Sequence, residues 1–135
     1  MSSEEHSLVL ILARGLASSI ATPMFLVDKG GTLVYYNEAA EQILGQTYAE
    51  AGEMSPEEWG TAFAPEDPDT GDKLDPQALP LTVALSERRP AHRRMAITGI
   101  DGERRRINVT AFPFFARTDE FVGAVAIFWQ QEGEG

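Results

Sequence analysis

The chain contains no cysteine among its 135 residues. Without cysteine the protein can form no disulfide bond, no thiolate metal site and no thiol nucleophile. This absence fits a reducing compartment, and we predict a cytoplasmic protein. Histidine is nearly absent as well, since His6 and His92 are the only two. The sequence also offers no Ser-His-Asp set, no glycine-rich phosphate loop and no metal triad, which argues against an enzyme.

Basic side chains are also few. Lysine and arginine total 11 against 21 aspartate and glutamate residues, for a net charge of −10. This balance argues against nucleic acid, whose phosphates need a basic surface, and against anionic lipid headgroups. The acid is concentrated from Glu50 to Asp75, and the base lies at Arg88, Arg89, Arg93, Arg94, Arg104, Arg105 and Arg106. These clusters are either solvated faces that pair with one another across the domain, or a docking surface for an acidic partner.

Long hydrophobic runs are missing too. The apolar run from Leu8 to Ala13 is far too short to span a bilayer, and it ends at Arg14. Residues Met1 to His6 are polar and acidic, whereas a secretory signal begins with basic residues. We therefore expect neither a membrane association nor a signal peptide.

The first predicted element is a helix from Glu4 to Ile20. Its apolar residues extend beyond one narrow face, which predicts that two sides of the helix are buried against other structure. They are Leu8, Leu12, Leu16 and Ile20, widened by Val9, Leu10 and Ile11. One side can contact the domain itself, and the other is predicted to contact a second copy of the chain. We assign residues 1–21 to a dimerisation helix, 22–131 to the main domain and 132–135 to a disordered tail.

A hairpin that leads into a capped helix comes next. Met24 to Asp28 is typical of a strand, Gly30-Gly31 of a turn, and Thr32 to Tyr36 of a second strand. Asn37 is a typical helix N-cap, because its side chain accepts hydrogen bonds from free backbone N–H groups. Gly45 is placed to end that helix in the left-handed conformation.

The remaining elements are short helices and three strands. The stretch from Tyr48 to Asp75 predicts one or two helical turns and a loop centred on residues 65–75. Its apolar anchors are Met54, Trp59 and Phe63. Pro80 suits the first turn of a helix over Leu81 to Glu87. The predicted strands are Arg93–Thr98, Arg105–Phe115 and Val122–Gln130, the first two joined at the hairpin signal Asp101-Gly102.

This order of elements predicts an α+β fold. Five strands form one antiparallel sheet, helices lie over one face, and the N-terminal helix lies on the other. The arrangement and its local signals resemble the PAS domain family from about Pro23 to Gln130. The residues that carry the resemblance are Phe25-Leu26-Val27-Asp28 with Gly31, Tyr36-Asn37-Glu38-Ala39-Ala40 with Ile43-Leu44-Gly45, Leu79-Pro80-Leu81, Asp101-Gly102, Pro113, and Val122-Gly123-Ala124-Val125.

The resemblance implies a sensory and protein-interaction module that is commonly dimeric. Such a module holds a small ligand or cofactor between the concave face of its sheet and its helices, or holds nothing at all. We therefore expect a bacterial-type homodimeric sensor that acts through contacts with another signalling protein. The identity of that downstream protein is not encoded in a recognisable motif.

Two departures narrow what the resemblance implies. PAS modules that drive a fused output domain often end in an Asp-Ile-Thr-like junction, whereas this chain reads Trp129-Gln130-Gln131. We therefore expect a stand-alone or excised module. The flavin-photoreceptor branch needs a reactive cysteine, which is missing, so flavin–cysteine chemistry is excluded. Haem is disfavoured because the predicted inner helix, Leu81 to Glu87, has no histidine, and His92 is predicted in the loop after that helix. The identity of any cofactor is therefore left open.

Strand alternation and the resemblance together predict the residues that face the ligand pocket. They are Phe25, Val27, Leu33, Tyr35, Ile43, Leu44, Leu81, Leu85, Ile107, Val109, Ala111, Ala124, Ala126 and Phe128. Small residues among them could leave an apolar cavity, which would take an apolar ligand. The alternative is a fully packed core with no vacancy, since protein interiors are dense.

The opposite face of the sheet is predicted to be too apolar for water. It carries Tyr36, Asn108, Thr110, Phe112, Val125, Ile127 and Trp129. We expect the N-terminal helix to lie across it and to complete a homodimer interface. The predicted interface residues are Leu8, Leu12, Leu16, Ile20, Val125, Ile127 and Trp129.

The residues argue against several functions other than a sensor. The acidic loop with Asp67, Asp69, Asp72 and Asp75 fails the calcium-loop spacing, so no metal is expected. A small enzyme of the ketosteroid-isomerase type would need a buried acid or base, but Asp28 ends a strand and is expected to bond local backbone. The remaining alternatives are a carrier with a permanently filled lipid-like pocket and a dimerisation scaffold with a packed core.

Overall fold

The sheet of this protein has five strands, all paired antiparallel, in the order β2-β1-β5-β4-β3. The computed structural model describes residues 12–13, 15–16, 20–116 and 120–131. The strands are β1 Met24–Asp28, β2 Leu33–Tyr36, β3 Ala91–Thr98, β4 Arg104–Ala116 and β5 Glu120–Gln130. The predicted α+β fold with one five-stranded antiparallel sheet is therefore confirmed.

Four helices lie between β2 and β3 in the sequence. They are α1 Glu38–Leu44, α2 Tyr48–Ala51, α3 Pro56–Ala62 and α4 Pro80–Glu87, with a 3-10 turn at Pro76–Ala78 before α4. Short sequence signals set their ends. Thr47 and Ser55 form capping boxes with Glu50 and Glu58 at the starts of α2 and α3. Pro80 occupies the first turn of α4, as predicted.

The helix after the hairpin has both predicted caps. The Asn37 side chain accepts a hydrogen bond from Ala40 N, and Gly45 ends α1 at a φ of 79°. The carbonyls at the end of α1 are satisfied by the β3–β4 hairpin, because Leu44 O accepts from Ile100 N at 2.9 Å. Ile43 O accepts from the Arg105 guanidinium at 2.8 Å. The C-terminal end of α1 is thereby attached to the β3–β4 hairpin.

β5 is the central strand because it is the most apolar. It pairs with β1 and β4, and six consecutive residues from Phe121 to Ala126 are buried. At Gly123 the neighbouring β1 backbone comes so close that a Cβ atom would collide with the Val27 carbonyl oxygen. Glycine is required here for the close approach of the two strands.

A β-bulge in the β1–β2 pair corrects two predictions about the sheet faces. Val27 pairs with Leu33 and Leu26 with Tyr35, so Val34 is left as an extra residue in β2. Strict alternation had placed Tyr35 on the inner face and Tyr36 on the outer face, and both placements are wrong. Tyr36 is fully buried in the main core, whereas Tyr35 packs on the outer face.

Both edges of the sheet are partly covered. On the β2 edge, Leu33 N donates to Met54 O at 2.8 Å, and on the β3 edge Glu66 N donates to Ala96 O at 2.8 Å. Each contact is an isolated bridge that pairs backbone groups which would otherwise be open to another chain.

His92 lies within β3, so its predicted position in the loop before that strand is wrong.

A second apolar cluster lies on the outer face of the sheet. Met24, Leu26 and Val125 are buried there, with Ala13, Val34, Tyr35, Phe112, Phe114 and Ile127 packed against them. We call these residues the outer cluster. Of the predicted N-terminal helix, Leu12, Ala13, Gly15, Leu16 and Ile20 are described. The first four are helical, whereas Ile20 is not, so the predicted helical conformation at Ile20 is wrong. Leu8 and the predicted tail at 132–135 lie outside the described residues.

Candidate functional site

An apolar cavity of about 90 Å³ lies between the inner face of the sheet and the helices. Every residue around it is apolar: Phe25, Leu44, Trp59, Phe63, Pro65, Leu79, Pro80, Leu81, Met95, Ile97, Ile107, Val109, Ala126 and Phe128. Strand alternation supplies the floor, since residues two apart on β3, β4 and β5 point the same way. The N-terminal end of α4 and the end of α3 supply the roof.

Part of the predicted pocket lines this cavity. Those residues are Phe25, Leu44, Leu81, Ile107, Val109, Ala126 and Phe128. Val27, Leu33, Ile43, Ala111 and Ala124 are buried in the same core but do not line the cavity, and Leu85 packs against that core while partly exposed. Tyr35 faces the outer cluster because of the bulge at Val34.

Other lining residues were missed by the alternation argument. Met95 and Ile97 come from β3, and Trp59, Phe63 and Pro65 come from the acidic stretch between α2 and α4. The signal for Trp59 and Phe63 was present, because large apolar side chains in an otherwise polar stretch mark points of attachment to a core. The sequence did not indicate that these anchors reach the same cavity as the sheet.

Trp59 is the best-defined part of the roof. Its indole Nε1–H donates to the Gly31 carbonyl oxygen at 2.7 Å, across 28 residues. Its ring meets Phe25 edge-on, with centroids 6.0 Å apart, and Phe25 in turn stacks on Tyr36 at 6.0 Å. These contacts fix the indole above the hairpin turn, where it closes the cavity on the α3 side.

Tyr36 lies beside this aromatic group and is a permanent hydrogen-bond donor. Its hydroxyl donates to Gln46 O at 2.9 Å. Burial, reinforced by the negative charge of Glu41, raises the pKa of Tyr36 to about 12. The phenol is therefore neutral at physiological pH, and it belongs to the structural wall of the core instead of to any proton-transfer site.

The size of the cavity limits what it can hold. At about 90 Å³ it is well below the 300–1,000 Å³ typical of pockets for drug-sized ligands. An engineered apolar cavity of about 150 Å³ stays dry and accepts benzene. As it stands, this cavity suits only a very small apolar occupant.

The acidic loop is bound to the arginines of the sheet. Arg93 contacts Asp67 at 3.3 Å, and Arg94 contacts Asp69 at 3.1 Å. Arg104 contacts Glu66 at 3.2 Å. The predicted pairing of acidic and basic clusters across the domain is confirmed for these residues. Together with the bridge between Glu66 and Ala96, it holds the loop of residues 65–75 against the β3 edge of the sheet.

Asp67 also organises the loop internally. Its Oδ1 accepts from Asp69 N at 2.8 Å and from Thr70 N at 3.0 Å. These backbone donors lower the pKa of the Asp67 carboxyl. Among the described residues, no group of three or more His, Cys, Asp or Glu side chains could hold a metal ion.

Asp28 performs the local role that its position predicts. Its Oδ1 accepts from Gly30 N and Thr32 N, both at 3.0 Å, and so closes the β1–β2 turn. Its carboxylate is used by the hairpin and does not reach the cavity lining.

The predicted dimer interface is only partly exposed. Leu12 and Leu16 are 64% and 62% exposed, Ile20 is 38% exposed and Trp129 is 43% exposed. Val125 is buried in the outer cluster and Ile127 is partly covered. On the same face, His92 Nδ1 lies 2.8 Å from Thr110 Oγ1, and its ring centroid is 6.4 Å from that of Trp129.

In the described part of the chain, no helix is long and apolar enough to cross a membrane.

Comparison with known proteins gives a consistent result. The sequence profile of the PAS domain matches residues 21–129. The fold is similar to the PAS domain of BvgS from Bordetella pertussis, at 18% identity and a TM-score of 0.60, with 91% of this chain and 85% of that chain aligned. No curated protein matches the sequence.

Two further solved structures share the architecture. One is the PAS domain of nitrogen regulation protein NR(II) from Vibrio parahaemolyticus, at 18% identity, 89% and 98% coverage of the two chains and a TM-score of 0.61. The other is the LOV protein of Rhodobacter sphaeroides, at 14% identity, 93% and 69% coverage and a TM-score of 0.69. At these identities the similarity is one of fold.

Proposed function

The chain belongs to the PAS domain family, a family of sensory and signalling modules, and on that premise we propose that it is a homodimeric ligand sensor. In this proposal a small apolar ligand binds between the inner face of the sheet and the helices. The protein passes the signal on through contacts with another protein, as a cytoplasmic bacterial module without catalytic activity. The observation that carries the proposal is the apolar cavity beneath α3 and α4.

The lining supports an apolar ligand because it offers no polar partner. All side chains around the cavity are apolar, so a buried polar group of a ligand would lose its hydrogen bonds to water without replacement. Ala126 contributes to the vacancy, since a larger side chain at that position would occupy part of it. This vacancy favours the sensor over the alternative of a scaffold with a packed core.

The signal would pass through β5 to the outer face. Ala126 and Phe128 line the cavity, while Val125 and Ile127 on the same strand contact the outer cluster. Ligand binding would favour one arrangement of α4 and of the acidic loop, and the shift in population would alter the outer cluster. Any partner that reads this face would then bind with a different affinity.

The dimer is supported by the exposed leucines near the N-terminus. Leu12 and Leu16 present most of their surface to solvent, while Ala13 between them packs on the outer cluster. A helix with one side on its own domain and an apolar side in solvent is suited to cover a second copy. The homodimer proposed here would bury the two leucines of each chain.

A non-enzymatic role is supported by the shortage of buried acid or base. The buried amide of Asn37 cannot exchange protons, and the buried phenol of Tyr36 is held neutral and donates to Gln46 O. Asp28 is held by two backbone donors. A ketosteroid-isomerase-like reaction would need an ionisable group in the apolar cavity.

A carrier with a permanently filled lipid-like pocket would need a larger chamber than about 90 Å³.

The decisive experiment is native mass spectrometry of freshly purified protein, paired with a denaturing run and an absorbance scan. A mass present only in the native spectrum would support the sensor and would identify the ligand. A dimer without extra mass, which also fails to bind added benzene in a thermal-shift titration, would favour the scaffold with a packed core. An exchange-resistant fatty acid or lipid would favour the carrier.

A further inference from the structure

The outer face of the sheet is divided into an apolar half and a basic half. The outer cluster fills the first half, from β2 across β1 and β5 to Phe112 and Phe114 on β4. The second half lies on β3, on the first part of β4 and at the end of β5. Its residues, which we call the basic patch, are His92, Arg94, Arg106, Asn108, Thr110 and Trp129.

The register of the strands places these residues side by side. Asn108 pairs with Arg94 on one side and with Trp129 on the other, so the three form a row across the sheet. His92 belongs to the next row, and its ring centroid lies 6.4 Å from that of Trp129. Arg106 precedes Asn108 by two residues and therefore faces the same side. Since neighbouring strands are about 4.8 Å apart, the row spans about 10 Å.

The two arginines of the patch differ in their carboxylate partners. Arg94 contacts Asp69 at 3.1 Å, but the two side chains are 46% and 70% exposed, so solvent weakens the pair. Arg106 is exposed and forms no ion pair among the described residues. In the described strands, no acidic residue faces outward on β3, on β4 or on β5 from Val125 to Trp129. The patch is therefore cationic on a protein whose net charge is −10.

Trp129 adds an apolar anchor to this charge. Its side chain is 43% exposed and lies beside the exposed His92. Tryptophan and arginine are among the residue types that contribute most to binding at protein interfaces. An exposed indole among cationic and amide side chains is suited to a segment that carries both carboxylates and an apolar side chain.

The acidic loop of the protein itself shows that carboxylates bind at this end of the sheet. Glu66 contacts Arg104 at 3.2 Å, and Asp69 contacts Arg94. Arg104 precedes Arg106 by two residues and faces the same side. Because no described carboxylate reaches Arg106, one position for a carboxylate stays open.

We propose that the basic patch binds an acidic segment of a partner protein. One carboxylate of the segment pairs with Arg106, a second replaces Asp69 at Arg94, and an apolar side chain packs on Trp129. This inference rests on the proposed function, in which the signal passes through contacts with another protein, and it specifies the chemistry of that partner.

Two other occupants fit the patch less well. In a twofold-symmetric dimer built on this patch, the arginines of the two copies would face one another and repel. Nucleic acid would bring a long row of phosphates against the acidic remainder of the surface, since the net charge is −10. A short acidic segment contacts the patch alone.

Fluorescence anisotropy of a labelled peptide tests the partner chemistry on the full chain. The peptide consists of glutamate residues around one phenylalanine, and its matched control carries glutamine in place of every glutamate. The acidic peptide should bind about tenfold tighter than the control at low ionic strength, and added salt should reduce the difference. Equal binding of the two peptides would overturn the acidic partner.

Arg106→Gln tests the location of the binding site. It should weaken binding of the acidic peptide about threefold to tenfold, because it removes the guanidinium that has no ion pair. Arg89→Gln is the matched control, since it removes the same charge from an exposed arginine that pairs with Glu87 at 2.7 Å, outside the patch. Thermal unfolding establishes that both variants are folded. Equal losses of affinity would show that only the total charge matters, and the patch would be overturned.

Asp69→Asn tests the exchange of carboxylates at Arg94 and should act in the opposite direction. With the competing carboxylate removed, the acidic peptide should bind about twofold to threefold tighter. Asp72→Asn removes the same charge from an exposed residue of the same loop that forms no ion pair among the described residues, and it should change the affinity less. An Asp69→Asn protein with unchanged affinity would overturn the role of Arg94.

The outcomes separate this inference from the proposed function. A protein that binds benzene but not the acidic peptide keeps the sensor cavity and loses the basic patch. A protein that binds the acidic peptide through Arg106, but neither retains a ligand nor binds benzene, keeps the patch and loses the sensor. If light scattering shows assemblies larger than the dimer that Arg106→Gln dissolves, the occupant is a second copy and the acidic partner is overturned.

Discussion

The side-chain oxygen of Asn37 accepts a hydrogen bond from the backbone N–H of Met24 at 2.9 Å, which joins the start of α1 to the start of β1. The same oxygen caps α1 through Ala40 N at 3.1 Å. The Asn37 Nδ2 donates to Thr22 O at 2.8 Å, in the segment that enters β1. One buried amide therefore sets the relative positions of the hairpin, the helix and the N-terminal segment.

Replacing this amide should destabilise the domain. Asn37→Ala leaves Met24 N, Ala40 N and Thr22 O without their partner, and we expect the free energy of unfolding to fall by about 2–4 kcal/mol. Urea denaturation followed by circular dichroism measures the change. Gln42→Ala, at an exposed position of the same helix, is the control and should change stability by less than about 0.5 kcal/mol. Equal effects of the two substitutions would refute the role given to Asn37.

Gly123 should tolerate no side chain. In Gly123→Ala the added methyl group meets the Val27 carbonyl oxygen, so β1 and β5 must separate, at a cost of about 3 kcal/mol or more. Gly30→Ala is the matched control, because a Cβ there meets only Asp28 Oδ1 at an ordinary 3.5 Å. Chemical denaturation of both proteins should give a large loss for the first and a small one for the second. A stable Gly123→Ala protein would mean that the two strands can adjust.

Filling the cavity should remove the ligand while keeping the fold. Ala126→Leu places additional carbon atoms in the space of about 90 Å³, and any mass retained in the native spectrum should disappear. Ala49→Leu makes the same change at an exposed position of α2 and should leave the retained mass in place. Retention of the ligand by a folded Ala126→Leu protein would locate the binding site elsewhere.

The hairpin contact between Asp101 and Arg105 should make stability depend on acid. The hydrogen bond from Arg105 lowers the pKa of the Asp101 carboxyl below its ordinary value of 3.8. Because the folded-state pKa is the lower one, the stabilisation is present above about pH 4 and is lost as the pH falls through the folded-state value. Thermal melts from pH 7 to pH 2 should show a falling Tm below about pH 4.

The control for this pH dependence is Asp101→Asn, which cannot titrate at that position. Its Tm at pH 7 should be lower than that of the wild type, and the difference between the two proteins should shrink at low pH. A constant difference across the whole range would show that the carboxylate charge of Asp101 contributes nothing to folding. Asp67 shares the direction of the shift, so Asp101→Asn should retain part of the acid dependence.

The proposed dimer should depend on the exposed leucines. Deletion of residues 1–21 should yield a monomer or an aggregate, and the double substitution Leu12→Glu/Leu16→Glu should yield a folded monomer, since it places charges in the interface. Light scattering after size-exclusion chromatography measures both. Ile100→Glu changes another exposed apolar residue, 50% exposed in the β3–β4 turn, and should leave the dimer intact. A dimer that survives both N-terminal changes would exclude this interface.

Features that depend only on neighbouring residues can be predicted from the sequence. Asn37 and Gly45 specify the ends of α1, because a short side-chain acceptor and a residue without Cβ are needed there. Gly102, at a φ of 85°, marks the β3–β4 turn. Alternation along β4 and β5 correctly separated Ile107, Val109, Ala126 and Phe128 from the outer residues, since these strands have a regular register at those positions. The family and the α+β fold followed from the order of such signals.

Contacts between residues distant in the sequence depend on how the strands and helices pack. The extra residue Val34 reverses the faces of Tyr35 and Tyr36, because a bulge depends on how two strands pair and not on the pattern of either one. The position of the Trp59 indole beside the cavity depends on its hydrogen bond to Gly31 O, 28 residues away. No local sequence pattern encodes that contact. The size of the cavity is likewise a property of the packed core, since it is the small volume left between side chains from distant parts of the chain.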